Sequence, residues 1–280
     1  MRVALLQPDL FWEDIDKNLE MVETLLSVID AASSLVVLPE MFSTGFTMNP
    51  ERFEASDLQK VPDWLKIMSD KYGFAIAGSS IAKEGNNFYN RFYFTAPETE
   101  MKFYDKRHLF RMGEEQHHYS AGSKREIFPF NKWRIMPQVC YDLRFPVWSR
   151  NRDDYDLLIY VANWPAVRQD AWNSLLKARA IENQSFVIGV NRTGNAPGIA
   201  YKGGSVVFSP KGEVLSKESS QNSDILYADL SMDDLTSFRE KFPAWKDRDD
   251  FTIHECSIKK RYIFAKIKAL KIFAPELTCC

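Results

Sequence analysis

The chain has 280 residues, with 36 basic side chains against 38 acidic ones, a formal net charge of −2 and 45% hydrophobic residues. This is ordinary globular composition, which excludes disordered, collagen-like and low-complexity classes. The near-neutral balance excludes a dedicated nucleic-acid binder, and the length suits one large α/β domain or two small ones.

The first element predicted is a strand over Arg2–Gln7. Its apolar stretch is shorter than the about 7–15 residues of an export signal. No window approaches the about 18 uncharged apolar residues of a spanning helix, so a cytoplasmic protein is expected. Residues Asp16–Ala31 predict a helix, with Leu19, Val22, Leu25, Leu26 and Ile29 at 3/4 spacing and Asp16 as N-cap. A strand over Ser34–Leu38 and a helix over Val61–Tyr72 follow. Strands are then expected over Phe74–Ile81, Arg91–Thr95, Met101–Tyr104, Trp133–Cys140 and Asp156–Ala162. Pro165–Gln184 predicts a helix with Trp172, Leu175, Leu176 and Ile181 on one face and Pro165 in its first turn. Strands over Phe186–Asn191, Gly204–Ser209 and Ile225–Asp229 and a helix over Leu235–Phe242 complete the series. Ten strands, several of them continuous apolar runs, fit two packed sheets flanked by helices better than one doubly wound sheet.

Cysteine is distributed unevenly. Cys140 is the single thiol of the first 255 residues, while Cys256, Cys279 and Cys280 lie in the last 25. This excludes a disulfide framework or a multi-cysteine metal site in the body. The last 25 residues also carry six basic side chains against one acid, Glu276. They read either as a basic amphipathic helix or as an appended tail, and the tail reading is preferred. Membrane contact by the tail is not expected. One boundary is drawn, near Thr252, giving a body over 1–253 and a tail over 254–280.

Three apolar strands end on chemically active residues. Leu35-Val36-Val37-Leu38-Pro39 leads to Glu40, Met101-Lys102-Phe103-Tyr104-Asp105 to Lys106, and Ile135-Met136-Pro137-Gln138-Val139 to Cys140. Ligands of α/β folds gather beyond the carboxyl ends of strands. A carboxylate can take a thiol proton and pass it to a leaving amine. A lysine ammonium, with a backbone N–H such as that of Tyr141, can hold a tetrahedral oxyanion. The three residue types therefore suffice for acyl transfer from an amide or nitrile without metal or histidine. Each also has a structural alternative: Glu40 as an ion-pair partner, Lys106 in a solvated turn, Cys140 as core filler.

Glu40 in Leu-Pro-Glu-Met-Phe-Ser-Thr-Gly-Phe, Lys106 in Tyr-Asp-Lys-Arg-His-Leu-Phe and Cys140 in Gln-Val-Cys-Tyr-Asp-Leu-Arg-Phe-Pro resemble the three signatures of the nitrilase superfamily of carbon–nitrogen hydrolases. Val3–Gln7 with Pro8, Asn90 in Tyr-Asn-Arg, and Asn163-Trp164 add to the match, which covers roughly residues 1–253. The resemblance implies a four-layer α-β-β-α sandwich, usually a homodimer or higher homo-oligomer, that works through a thioester without cofactor or metal. It implies a second glutamate near the lysine loop, for which Glu115 matches best and Glu114 is the alternative. Cys-Tyr-Asp-Leu-Arg-Phe-Pro and Lys-Arg-His-Leu-Phe resemble the omega-amidase branch most. That branch implies a small-molecule amide substrate, 2-oxoglutaramate or succinamate, whose distal carboxylate needs a cation. Arg144 is the nearest, with a structural pairing to Asp142 as its alternative. Tyr141, Asn163, Trp164, Phe42 and His118 are expected at the substrate, with His117 and Tyr119 as further pocket formers. The segment Ala96–Glu100 replaces the family's usual Asp-Gly-type turn, and the tail has no counterpart in the pattern.

Rival readings are weaker. A histidine-dependent cysteine hydrolase using His108, His117, His118 or His254 would leave Glu40 and Lys106 unexplained and lacks the papain-type sequence. Adjacent His117 and His118 point apart, which disfavours zinc. No phosphate-cradling or dinucleotide loop is present. A hydrolase fold kept for binding is the remaining alternative.

Overall fold

The computed structural model describes residues 1–253, so the tail reading falls outside the described residues. In chain order the first half comprises β1 (Arg2–Leu6), α1 (Ile15–Leu26), β2 (Ser33–Val37), α2 (Ala55–Tyr72), β3 (Ala75–Glu84), β4 (Asn87–Thr95), β5 (Lys102–Asp105) and the single turn α3 (Glu115–His118). The second half comprises β6 (Phe128–Phe130), β7 (Trp133–Val139), the turn α4 (Pro146–Ser149), β8 (Leu157–Ala162), α5 (Gln169–Asn183) and β9 (Phe186–Asn191). It continues with β10 (Thr193–Ala196), β11 (Ile199–Lys202), β12 (Val206–Phe208), β13 (Lys217–Glu218), β14 (Ile225–Asp229) and α6 (Met232–Lys241).

Two main sheets result, ordered β13-β14-β1-β2-β3-β4-β5 and β12-β9-β8-β7-β6, with β10-β11 forming a separate two-stranded sheet. Each main sheet has a parallel centre, β1-β2-β3 in one and β7-β8-β9 in the other, flanked by antiparallel edges. Alternation divides the strand residues between two faces. Ala4, Leu6, Val36, Leu38 and Ile76 pack with Leu19, Val22 and Leu26 of α1 and Val61 and Leu65 of α2. Burying each of these larger side chains contributes about 1.5–3 kcal/mol. The intervening Val3, Leu5, Leu35 and Val37 are equally buried and point the other way. There β4 packs on β7 and β1 on β9, and the Phe94 ring meets Phe128 and Phe130 at 5.9 and 5.4 Å. Helix α5 covers the far face of the second sheet. A side chain at Gly189 of β9 would put its Cβ 2.3 Å from Leu176 of α5, so only glycine admits this approach. The architecture is an α-β-β-α sandwich.

The elements depart from the sequence reading in specific places. Asp14, not Asp16, caps α1, accepting from the Lys17 N–H at 3.1 Å, while Asp16 lies in the first turn. Helix α2 starts at Ala55 rather than Val61. Its first turns are mostly exposed and polar, and Pro62 lies inside it, so periodicity there is weak. Three 3₁₀ residues, Ala166–Arg168, separate Pro165 from α5, and Ile181 faces solvent at 48% exposure. The reading omitted β6, β13 and the β10–β11 hairpin, whose strands are each four residues long or shorter.

Candidate active site

Glu40 lies three residues beyond β2. Leu38 still bonds to β3 through its N–H to the Ala77 carbonyl at 2.7 Å, and Met41 then turns the chain with φ +44°. A non-glycine residue in this left-handed region is strained, and strain of this kind concentrates at functional sites. The Glu40 carboxylate is fully buried and saturated with donors. One oxygen accepts from Asn90 Nδ2 at 2.7 Å and Lys106 Nζ at 2.9 Å, the other from the Asn163 N–H at 2.8 Å. Asn163 Nδ2 also donates to the Glu40 carbonyl at 2.5 Å, which ties the ends of β2 and β8 together.

Lys106 follows β5. Its N–H donates to the Asn90 carbonyl at 3.0 Å, and its carbonyl accepts from the Gly122 N–H at 2.9 Å. A Cβ on Gly122 would sit 2.1 Å from the Asp105 carbonyl oxygen, so glycine is required for this close approach. The buried ammonium lies between Glu40 at 2.9 Å and Glu115 at 3.0 Å, with the Phe46 ring 5.0 Å away. Burial alone would lower the lysine pKa, but the two carboxylates overcome it and hold the ammonium well above the ordinary lysine range. Glu115 is itself fully buried and accepts from the Phe110 N–H at 2.6 Å. Its burial pushes the carboxyl up, with Lys106 opposing. The preceding Glu114 has φ +60° and faces solvent, so the turn presents Glu115, not Glu114, to the lysine.

Cys140 follows β7 at φ +43° and opens a 3₁₀ turn over Cys140–Arg144. The Tyr141 N–H, at the start of this turn, has no intrahelical acceptor. Burial, then the Glu40 charge, push the thiol pKa well above its ordinary value, while Lys106 pulls against them. The turn is held by Asp142, which accepts from the Val139 N–H at 3.0 Å, Tyr104 Oη at 2.9 Å, and the N–H and Nδ1 of His108 at 2.9 and 2.7 Å. Asp142 thus fastens the cysteine turn to the segment just after Lys106. Arg144 is not its partner, and His108 is engaged with Asp142.

These residues border a cavity of about 180 Å³ lined by Lys106, Cys140, Tyr141, Arg144, Asn163 and Trp164. That is below the about 300–1,000 Å³ of sites for drug-sized ligands. Gly113 and Pro165 also line it, as do Phe46, Met48, Phe110, Arg168, Ile199 and Tyr201. Sequence reasoning missed these residues. They come from four separate segments whose pattern carries no signal of convergence. A larger cleft of about 870 Å³ lies by β13 and β14, lined by residues such as Arg2, Asp30 and Tyr227. It contains none of the groups above, so the chemistry belongs to the smaller cavity.

Two expected substrate contacts are not at the cavity. Phe42 is fully buried, its ring 6.2 Å from that of Trp64 and against Gly78, because the turn at Met41 sends it into the helix-facing core. His118 ends α3 half-buried and does not line the wall, and Tyr119 is a core residue whose hydroxyl donates to the Thr47 carbonyl at 2.8 Å. Among the described residues, no group of three or more His, Cys, Asp and Glu could hold a metal ion.

The sequence profile of the carbon–nitrogen hydrolase family matches residues 2–240. The omega-amidase YafV of Yersinia enterocolitica is 46% identical over 254 residues, covering 90% of this chain and 98% of its own. The 2-oxoglutaramate amidase of Bacillus subtilis is 32% identical over 250 residues, covering 88% of this chain and 96% of its own. Among solved structures, a CN-hydrolase superfamily protein of Xanthomonas campestris, with an arsenic adduct in its active site, superposes with a TM-score of 0.86. It is 38% identical, and the match covers 91% of this chain and 99% of that one.

Proposed function

Starting from the fact that the chain belongs to the carbon–nitrogen hydrolase family, we propose that it is an omega-amidase that hydrolyses the ω-amide of 2-oxoglutaramate, and of succinamate, to the dicarboxylic acid and ammonia. The observation that carries this reading is the buried Lys106 ammonium held between Glu40 and Glu115, with Cys140 and Lys106 lining one cavity.

Cys140 is the nucleophile and Glu40 the general base. The raised thiol pKa keeps the proton on sulfur until substrate binds. As Sγ attacks the amide carbon, the proton passes to Glu40 and the carbonyl oxygen becomes an oxyanion between Lys106 Nζ and the Tyr141 N–H. Glu40 then protonates the amide nitrogen, the C–N bond breaks, and ammonia leaves a Cys140 thioester. Water gives a proton to Glu40 and attacks the thioester, and a second oxyanion forms in the same place. Its collapse expels sulfur, which regains the proton from Glu40. Glu115 is a positioning residue that fixes the ammonium. Arg144, stacked 5.0 Å over the Trp164 ring, is the cation for the distal carboxylate. The superfamily resemblance also supports a homodimer, which light scattering checks; a cytoplasmic location is checked by fractionation.

The test is ammonia release from 2-oxoglutaramate, succinamate, glutamine, an N-carbamoyl amino acid, an aliphatic amide and a nitrile, with Cys140→Ala as the blank. Cys140-dependent release favouring the two anionic ω-amides is expected. Turnover confined to the other compounds overturns the substrate assignment.

A further inference from the structure

We propose that Arg168 is a second substrate-binding cation, acting with Arg144 on the oxidised end of a 2-oxo acid amide. The proposal rests on the omega-amidase reading and extends it to a residue that the sequence pattern did not mark.

Most guanidinium groups of the described residues are engaged by the protein, the exposed Arg111 being an exception. Arg91, Arg125, Arg134 and Arg239 each close on a carboxylate, and Arg107 and Arg150 donate to backbone carbonyls. Arg144 and Arg168 do neither among the described residues. Each instead lies over an aromatic face, Arg144 at 5.0 Å from the Trp164 centroid and Arg168 at 5.4 Å from that of Phe110. Both line the cavity that contains Cys140 and Lys106. A guanidinium carries five N–H donors in a fixed fork. Stacking orients that fork without consuming its donors, so two sets of donors are left for a ligand at one small cavity.

Trp164 supports both cations. Its ring carries Arg144, and its Nε1 donates to the Arg168 carbonyl at 2.8 Å. The indole's own backbone is fixed, since the Trp164 N–H donates to Asn191 Oδ1 at 2.7 Å and its carbonyl accepts from Asn191 Nδ2 at 3.0 Å. A shift of one cation would therefore disturb the support of the other, which holds the two as a unit.

The chemistry that two adjacent forks recognise is a carboxylate extended by a neighbouring carbonyl. A 2-oxo acid presents three oxygens at one end, two carboxylate and one keto, more than one fork can bind bidentately. One guanidinium suffices for a simple ω-amide acid. The second adds selectivity for the 2-oxo group.

The experiment compares wild type, Arg144→Met and Arg168→Met on 2-oxoglutaramate, on succinamate and on a neutral aliphatic amide. Methionine keeps most of the stem packing on Phe110, and the Trp164 bond uses the backbone carbonyl, so the platform survives. The expected result for Arg168→Met is a loss of about 10- to 100-fold in kcat/KM on 2-oxoglutaramate, carried by KM. The loss on succinamate is smaller, and the neutral amide changes less than about twofold. Partial recovery in Arg168→Lys is expected. Equal losses on all three substrates, or no loss on 2-oxoglutaramate, overturn the proposal. If Arg144→Met alone penalises the anionic amides, the omega-amidase reading stands and only Arg168 is excluded. If wild type turns over only the neutral amide, both fail together.

Discussion

Replacing Lys106 by methionine is the sharpest perturbation of this site, because it removes one cation from between two carboxylates that have no access to water. Glu40, Lys106 and Glu115 are all buried, and the ammonium contacts are 2.9 and 3.0 Å long. Breaking a buried ion pair from one side typically costs about 3–5 kcal/mol, since the remaining charge is uncompensated. For a chain of this size that is on the order of 10 °C in Tm. The loss depends on pH, and its sign follows from the carboxylates left behind. Burial already pushes the Glu115 carboxyl up against the opposing Lys106 charge, so in the folded variant, with that charge gone, its pKa lies above that of the unfolded chain. The folded state then holds more protons than the unfolded one above about pH 4.3, the ordinary glutamate value. Stability therefore falls as pH rises through that window and is least affected below it.

Activity and stability separate in a double variant. Glu115→Gln added to Lys106→Met removes one of the two stranded carboxylates, so most of the lost stability returns. The kcat, lowered about 10²–10³-fold by loss of the oxyanion partner, does not return. Thermal melts from pH 5 to 8 and ammonia release at saturating substrate read the two effects. A single variant as stable at pH 8 as at pH 5, or a double variant that regains turnover, refutes the reasoning.

Three further outcomes are expected. Cys140→Ala abolishes turnover while costing about 1 kcal/mol or less in stability, since only a small side chain is removed, and hydrolysis near the wild-type rate would exclude the thioester. Iodoacetamide labelling of Cys140, followed by peptide mass mapping, is slow near neutral pH and rises steeply in alkali; Glu40→Gln moves that rise to lower pH, because the Glu40 charge is one cause of the raised thiol pKa. An unmoved labelling profile would dissociate the two groups. Asp142→Asn lowers kcat about 10- to 100-fold with little change in KM, because the cysteine turn and the segment after Lys106 lose their shared anchor. An unchanged kcat would mean the turn holds its shape alone.

What was legible in the sequence is where ionisable or reactive residues interrupt apolar runs. Glu40 and Cys140 each follow a buried strand and Lys106 follows the partly exposed β5, and their positions at strand ends made them candidates. Two packed sheets were legible for the same reason, since runs such as Leu157–Ala162 are buried along their whole length. Side-chain direction after a strained residue was not. Phe42 stands two places from Glu40, yet the left-handed turn at Met41 sends it to the opposite side of the sheet. Contacts assembled across the chain were equally hidden. Phe46, Phe110, Arg168 and Tyr201 meet at one cavity only because β5, β8 and the β10–β11 hairpin converge there. Short hairpins carry too few residues for a two-residue period to emerge.

The charge arithmetic of the site explains why a lysine sits between two glutamates rather than beside one. The proposed cycle starts with Glu40 and Glu115 ionised, Lys106 charged and the Cys140 thiol neutral, a net charge of −1 beside the N–H donors of Asn163, Phe110 and Asn90. In the proposed cycle the thiol proton moves to Glu40 as the oxyanion forms. Glu40 becomes neutral, the substrate oxygen becomes negative, and the total stays at −1. The negative charge has moved from one neighbour of Lys106 to another, so the surrounding dipoles need little rearrangement, which is the condition under which fixed donors stabilise a transition state most. With Glu115 absent, the ammonium would follow the moving charge instead of waiting for it. In that proposed cycle the second carboxylate holds Lys106 still while the first gives up its charge, a positioning role for Glu115 that needs no contact with substrate.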